Sequence, residues 1–219
     1  MKLCMFSPKE RELERGWPGR IEGDRVIQLA AQTLQSFFTG GGSAREHAEF
    51  PLADVMLRPP VLHPGAVRLF DGDDFVFGNP SCIYGQDEDV PLPYGADRLD
   101  AQLRIAAVIG AGIVGGYTLM NDWLAPDLAG AKAHDFATSL GPIVLTPDEF
   151  DGGETDWNAL LDRAELNTRL FPGDLIAAPV VSRSGPFTAG DTVALELEPI
   201  GVLSNRLALP VSAPIETLR

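Results

Sequence analysis

The stretch "RIAAVIGAGIVGGYTLMND" (Arg104–Asp122) carries Gly110, Gly112 and Gly115 in a G-x-G-x-x-G pattern directly after an apolar run. Such glycines cradle a pyrophosphate when they join a strand to a long helix whose N-terminus faces the phosphates. A strand and a turn are legible here, but the helix is not. Gly116, Tyr117 and Thr118 follow, then Asn121-Asp122 and Pro126, a sequence that favours strand and turn. The spacing therefore predicts a short connection between two strands, not a dinucleotide site. Asp71, Asp73 and Asp74 in "FDGDDF" crowd oxygen ligands at a turn. No glutamate stands where a calcium loop needs its last ligand, so they read as an acidic hairpin tip. His47 and Glu49 in "REHAEF" read as a solvated stretch, and His63 before Pro64 as a loop residue. His134, two residues after Lys132 in "KAHDF", is a candidate general base. Tyr84 and Arg183 are of a type that lines pockets, though nothing in the sequence singles them out.

The elements that must position these residues are mostly strands. "KLCMF" reads as a strand, and "GRIEGDRVIQL" as two strands joined by a Gly-Asp turn. "AAQTLQSFF" has helical spacing and is stopped by "TGGGS", whose Gly40–Gly42 read as a flexible connector. From Ala53 onward, β-like runs alternate with Pro, Gly and Asp. They are "DVMLRPPV", "FVFGNPSCIYG", "QLRIAAVIG", "GGYTLMNDW", "GPIVLT", "DLIAAPVVS" and "DTVALELEPIG". "TDWNALLDRAELNTRLF" is the one convincing later helix, with Leu160, Leu161, Ala164 and Leu166 as its apolar stripe and Pro172-Gly173 beyond it. The expectation is a mainly β protein with α additions. It divides into a small α/β region over 1–50 and a larger domain over 51–219.

Composition narrows the partners. Against 17 Lys and Arg stand 31 Asp and Glu, a formal charge of −14, which argues against nucleic acid. The run Ile105–Asn121 is too short and glycine-rich to span a bilayer. Cys4 and Cys82 form neither a metal spacing nor a disulfide framework. An N-terminus that turns charged within a few residues does not read as a signal peptide, so a cytoplasmic setting is expected.

Taken in order, "ADVMLRPPV", "FGNPSCIYGQDEDVPLP", "RLDAQLRIAAVIG", "GGYTLMNDWLAPD", "KAHDFATSLGPIVLTPDEF", "LFPGDLIAAP" and "FTAGDTVALELEPIGVLSN" resemble the fumarylacetoacetate hydrolase family from about Ala53 to Asn205. The resemblance implies a β-roll, a homodimer and a site for an enolisable polycarbonyl or keto acid. Active members of that family hold a Mg²⁺-like ion with two Glu at i and i+2 on one strand and an Asp on the next. Alternate strand residues share a face, so such a spacing aims two hard oxygen ligands at one cavity.

This chain departs from the pattern. Asp122 matches the third ligand, but Gln102 and Arg104 stand at the two Glu positions. A neutral amide is a poor ligand and a guanidinium repels a cation, so no metal is expected. Mg or Mn would return only if Asp100 joined Asp122. The segment that supplies a catalytic His and Glu after the "PPV" strand in active relatives is missing, and "AAP" (Ala177–Pro179) replaces a T-G-T-P segment. Lys132, Asn121 and Asp127 keep their places. The resemblance implies a catalytic role for Asp122 and Lys132 and a substrate contact for Asn121. Where the chain departs from the pattern, Arg104 is expected to be catalytic and Gln102 and His134 to contact substrate. Arg104 is expected to pair with Asp122, either as the replacement for the ion or as a structural ion pair. The expected activity is metal-independent C–C cleavage, decarboxylation, isomerisation or cyclisation. The alternative is a catalytically silent ligand-binding or partner-subunit protein.

Overall fold

The computed structural model describes residues 1–209. The first 58 residues give β1 (Lys2–Pro8), β2 (Trp17–Glu22), β3 (Arg25–Leu29), α1 (Leu34–Thr39), β4 (Glu46–Pro51) and β5 (Val55–Arg58). The acidic tip closes a hairpin of β6 (Val67–Asp71) and β7 (Asp74–Gly78). Two short strands follow, β8 (Ile83–Tyr84) and β9 (Asp89–Pro91). The long central pair is β10 (Leu99–Ile109) and β11 (Val114–Asp122). Beyond it come β12 (Thr138–Leu140), β13 (Ile143–Leu145), α2 (Trp157–Glu165) and β14 (Leu175–Ala177). The last strands are β15 (Ser182–Phe187), β16 (Thr192–Leu197) and β17 (Gly201–Ala208).

These strands form a 14-stranded sheet, with its main path β4-β3-β2-β1-β13-β11-β10-β14-β6-β7, and a small sheet of β16, β17 and β9. The protein is mainly β, as the alternation of short apolar runs and turn residues predicts. The leading strands are continuous with the rest, because β1 pairs antiparallel with both β13 and β5. The centre of the sheet is buried on both faces. Leu103, Ile105, Ala107, Leu119 and Trp123 pack on one side with Trp157 and Leu160 of α2. Ala106, Val108 and Met120 pack on the other with Phe37 and Phe38 of α1. A strand covered on both faces reads as an unbroken apolar run, hence "RIAAVIG".

The glycine pattern finds its explanation in this packing. Gly110–Ile113 make the turn between β10 and β11, closed by the Gly110 N–H donating to the Ile113 carbonyl at 2.7 Å, with Gly112 at φ +73°. A Cβ on Gly115 would meet the Phe38 ring at 2.9 Å, and one on Gly116 the Leu145 carbonyl oxygen at 2.5 Å. No helix follows, so no pyrophosphate cradle exists at these residues.

The helices differ from expectation in extent. Thr33 caps α1 by accepting the Ser36 N–H, and Gly40, Gly41 and Gly42 donate back to its last carbonyls. Those glycines terminate a helix and are not a free connector. Asp156 caps α2, which stops at Glu165 because Asn167 turns the chain at φ +63°, leaving Leu166 exposed. No helix among the described residues is long and apolar enough to cross a membrane.

Replacing Gly116 with Ala forces the backbones of β11 and β13 apart. It is expected to cost about 2–3 kcal/mol in urea unfolding, and Gly112→Ala roughly 1 kcal/mol from its backbone angle alone. Neither variant nor the wild type should change the fluorescence of NADH, and tight NADH binding would refute this account of the glycines.

Candidate active site

The period of two along β10 places Gln102 and Arg104 on one face, and the antiparallel register brings Asp122 of β11 beside them. Arg104 is 6% exposed and Asp122 1%, and their Nη2 and Oδ2 atoms are 3.1 Å apart. Arg104 Nη1 donates to two carbonyls, Phe70 O at 2.7 Å and Ala178 O at 3.0 Å. Burial pulls the guanidinium below its ordinary pKa, and Asp122 acts against that shift. Arginine stays protonated regardless, so a fixed cation lies in the sheet.

Asp122 is shared. Its other oxygen, Oδ1, is 3.4 Å from Nδ1 of His134, which follows the single turn Gly130–Ala133 and is 41% exposed. With Nδ1–H directed at the carboxylate, Nε2 is left as the basic nitrogen of the ring. Gln102, Arg104, Asp122 and His134 together line a cleft of about 630 Å³.

The remaining candidates lie elsewhere. Asn121 faces away from Asp122, as neighbouring strand residues must. It is 1% exposed, and its Oδ1 accepts the Gln102 backbone N–H at 2.9 Å, which holds β10 and β11 in register. Lys132 extends into solvent, donating to Asp135 at 2.7 Å, and does not line the cleft. Asp100 exchanges backbone hydrogen bonds with Leu124 and lines a separate, shallower depression beside Gly185. Asp127 pairs with Arg98. Several lining residues carried no sequence signal, notably Arg183 on β15, which lies opposite Gln102, and Phe75, Val76 and Phe77 on β7.

These residues do not fit a divalent cation. One oxygen of Asp122 is occupied by Arg104, and the other faces a histidine. A doubly charged ion about 4 Å from a guanidinium is repelled by roughly 8 kcal/mol at an effective dielectric near 20. Among the described residues, no three His, Cys, Asp or Glu side chains gather as a ligand set.

Comparison with known proteins agrees with this architecture. The sequence model described as fumarylacetoacetate (FAA) hydrolase C-terminal matches residues 65–170. Protein Rv2993c of Mycobacterium tuberculosis is 26% identical, over 71% of this chain and 80% of its own. A maleylpyruvate hydrolase of Aquipseudomonas alcaligenes is 24% identical, over 93% and 98%. Among solved structures, maleylpyruvate hydrolase from Sphingobium sp. SYK-6 in complex with manganese(II) and pyruvate superposes with a TM-score of 0.79. That match is 19% identical and covers 96% of this chain and all of the other. The chain thus shares its fold with solved members of the fumarylacetoacetate hydrolase family and resembles that family in sequence over its central residues.

Removing Arg104 strands a buried carboxylate and two buried carbonyls. Arg104→Met is expected to destabilise the protein by about 3–5 kcal/mol in chemical denaturation. Adding Asp122→Leu to that variant should restore a substantial part, because the orphaned charge is gone. Equal stability of the two variants would show that the pair contributes no coupling.

Proposed function

We propose that this chain is an enzyme that enolises a small 2-keto acid by proton transfer, without a divalent ion. The observation carrying this reading is the buried Asp122 carboxylate held between Arg104 and His134 at the cleft. His134 Nε2 takes a proton from the carbon next to the keto group. The electron pair moves onto the keto oxygen, and the Arg104 cation stabilises the enolate that forms. Returning the proton to another carbon gives isomerisation. Where a carboxylate on the carbon next to the keto group leaves as CO2 in place of the proton, or where water adds to a second carbonyl and that acyl group leaves as a carboxylic acid, the C–C bonding pair forms the same enolate, which is then protonated. The maleylpyruvate hydrolases, and a hydroxymuconate isomerase from Mycobacterium smegmatis of the same fold, support a keto-acid substrate class.

The catalytically silent alternative draws on one observation. All three hydrogen bonds of Arg104 go to the protein itself. On that reading the guanidinium is structural and no proton transfer follows.

Enolisation is measurable directly. In D₂O the wild type should accelerate exchange of the pyruvate methyl protons, followed by proton NMR, with no metal added and with EDTA present. His134→Asn should lower the enzymatic rate by about 10²–10⁴-fold, the usual contribution of a general base, without changing the melting temperature. Undiminished exchange in that variant would remove His134 from the mechanism. Exchange that needs Mg²⁺ or Mn²⁺ would overturn the metal-free reading.

A saturating anion should also stabilise the fold. Pyruvate at about a hundred times its dissociation constant adds about 2.7 kcal/mol, seen as a rise in melting temperature. Mg²⁺ alone should add nothing.

A further inference from the structure

Four of the six Asp and Arg side chains that line the cleft are in ion pairs. Arg104 meets Asp122 at 3.1 Å, while Asp74 and Asp135 are met from outside the cleft by Arg163 at 3.1 Å and Lys132 at 2.7 Å. Among the described residues, Arg183 is the one lining arginine without an ion-pair partner, and it is exposed at the mouth. Asp71 also lines the cleft. One ligand carboxylate can therefore be met by Arg183, while a second would face Asp71, Asp74 and Asp135 with no free cation left.

The opposite wall is apolar. Strand β7 is the last strand on the main path of the large sheet, and Phe75, Val76 and Phe77 line the cleft from it, Val76 on the face of Leu69 and the two phenylalanines on the other face beside Arg68. Val76 is 67% and Phe77 69% exposed. Opposite Val76 on β6, Leu69 is buried. Large apolar side chains grouped at the rim of a cleft gain by being covered.

We infer that the cleft selects a monoanionic 2-keto acid with an aromatic or similarly bulky apolar substituent, its carboxylate on Arg183 and its tail along Phe75, Val76 and Phe77. The selectivity rests on the proposed function for the keto group alone.

Calorimetric titration of the full chain with pyruvate, phenylpyruvate and 2-oxoglutarate at one ionic strength tests it. Phenylpyruvate should bind at least about tenfold more tightly than pyruvate, the effect of covering one ring, and 2-oxoglutarate no more tightly than pyruvate. Arg183→Gln should weaken phenylpyruvate about tenfold, since it removes the charged partner. Phe77→Ser, at a mostly exposed position beside Phe75 and Arg68, should shrink the ratio of phenylpyruvate to pyruvate affinity several-fold, with the melting temperature followed as a control for folding. Equal binding of 2-oxoglutarate and phenylpyruvate would overturn the inference, as would an unchanged ratio in Phe77→Ser or unchanged binding in Arg183→Gln. Pyruvate binding with no preference for phenylpyruvate overturns the selectivity and leaves enolisation standing. Absence of binding by every keto acid overturns both.

Discussion

Arg104 stands where four strands meet, and each of its hydrogen bonds fixes one of them. The ladder from β14 to β10 ends at Ala177 opposite Ala106, and the ladder from β14 to β6 ends at Ala177 opposite Leu69. Immediately past those points lie Ala178 and Phe70, whose carbonyls accept from Arg104 Nη1. The chain then bulges. Ala178 N–H donates to Ile105 O and Val181 N–H to Leu103 O, three residues on one side against two on the other, before β15 resumes the pairing. A buried carbonyl without a donor costs a kcal/mol or more, roughly 1–3. The guanidinium supplies donors where the sheet geometry supplies none, and Asp122 balances its charge. The cleft lies where the sheet divides, and this one side chain bridges the division.

Much of the architecture was legible because burial writes itself into residue patterns. Strands β10 and β11 are covered on both faces and read as continuous apolar runs, and the acidic "FDGDD" tip announced the β6–β7 hairpin. The strands that sequence reading missed are those whose side chains face water or whose length is set by a partner. Strand β15, "SRSGPF", is exposed along most of its length and shows no alternation. Strand β9 is three residues long and exists through pairing with β17, and the run "FVFGNPSCIYG" is not one strand but β7 and a separate two-residue β8 that pairs with β12. Arg183 was illegible for the same reason, since only the register of β15 sets it beside Gln102.

The site divides along similar lines. The pairing of Arg104 with Asp122 followed from strand parity and a family resemblance, both of which survive long divergence. The contact of His134 with Asp122 depends on a four-residue 3₁₀ turn, and nothing in "GAKAH" specifies where such a turn points. Lys132 was placed near the substrate by its position in the family pattern. Its nearest anion is Asp135, three residues on, and that local pair holds it at the surface.

Exchanging an ion for an arginine keeps a cation in place but changes what it can do. A divalent ion held by three carboxylates would carry a net −1 with its ligands, whereas Gln102, Arg104 and Asp122 sum to zero. An ion also offers open coordination positions to a chelating dicarbonyl. The guanidinium has five N–H donors, and three already serve Phe70, Ala178 and Asp122. Arg104 Nε is buried with no partner, and the second Nη2 hydrogen is the other one left. The cation therefore acts on a ligand mainly through its field, strengthened by burial, and only weakly as a bidentate clamp. A field of that kind suits an enolate, whose charge is spread over carbon and oxygen. It suits hydrolytic C–C cleavage less well, because a tetrahedral oxyanion there calls for several directed donors at once.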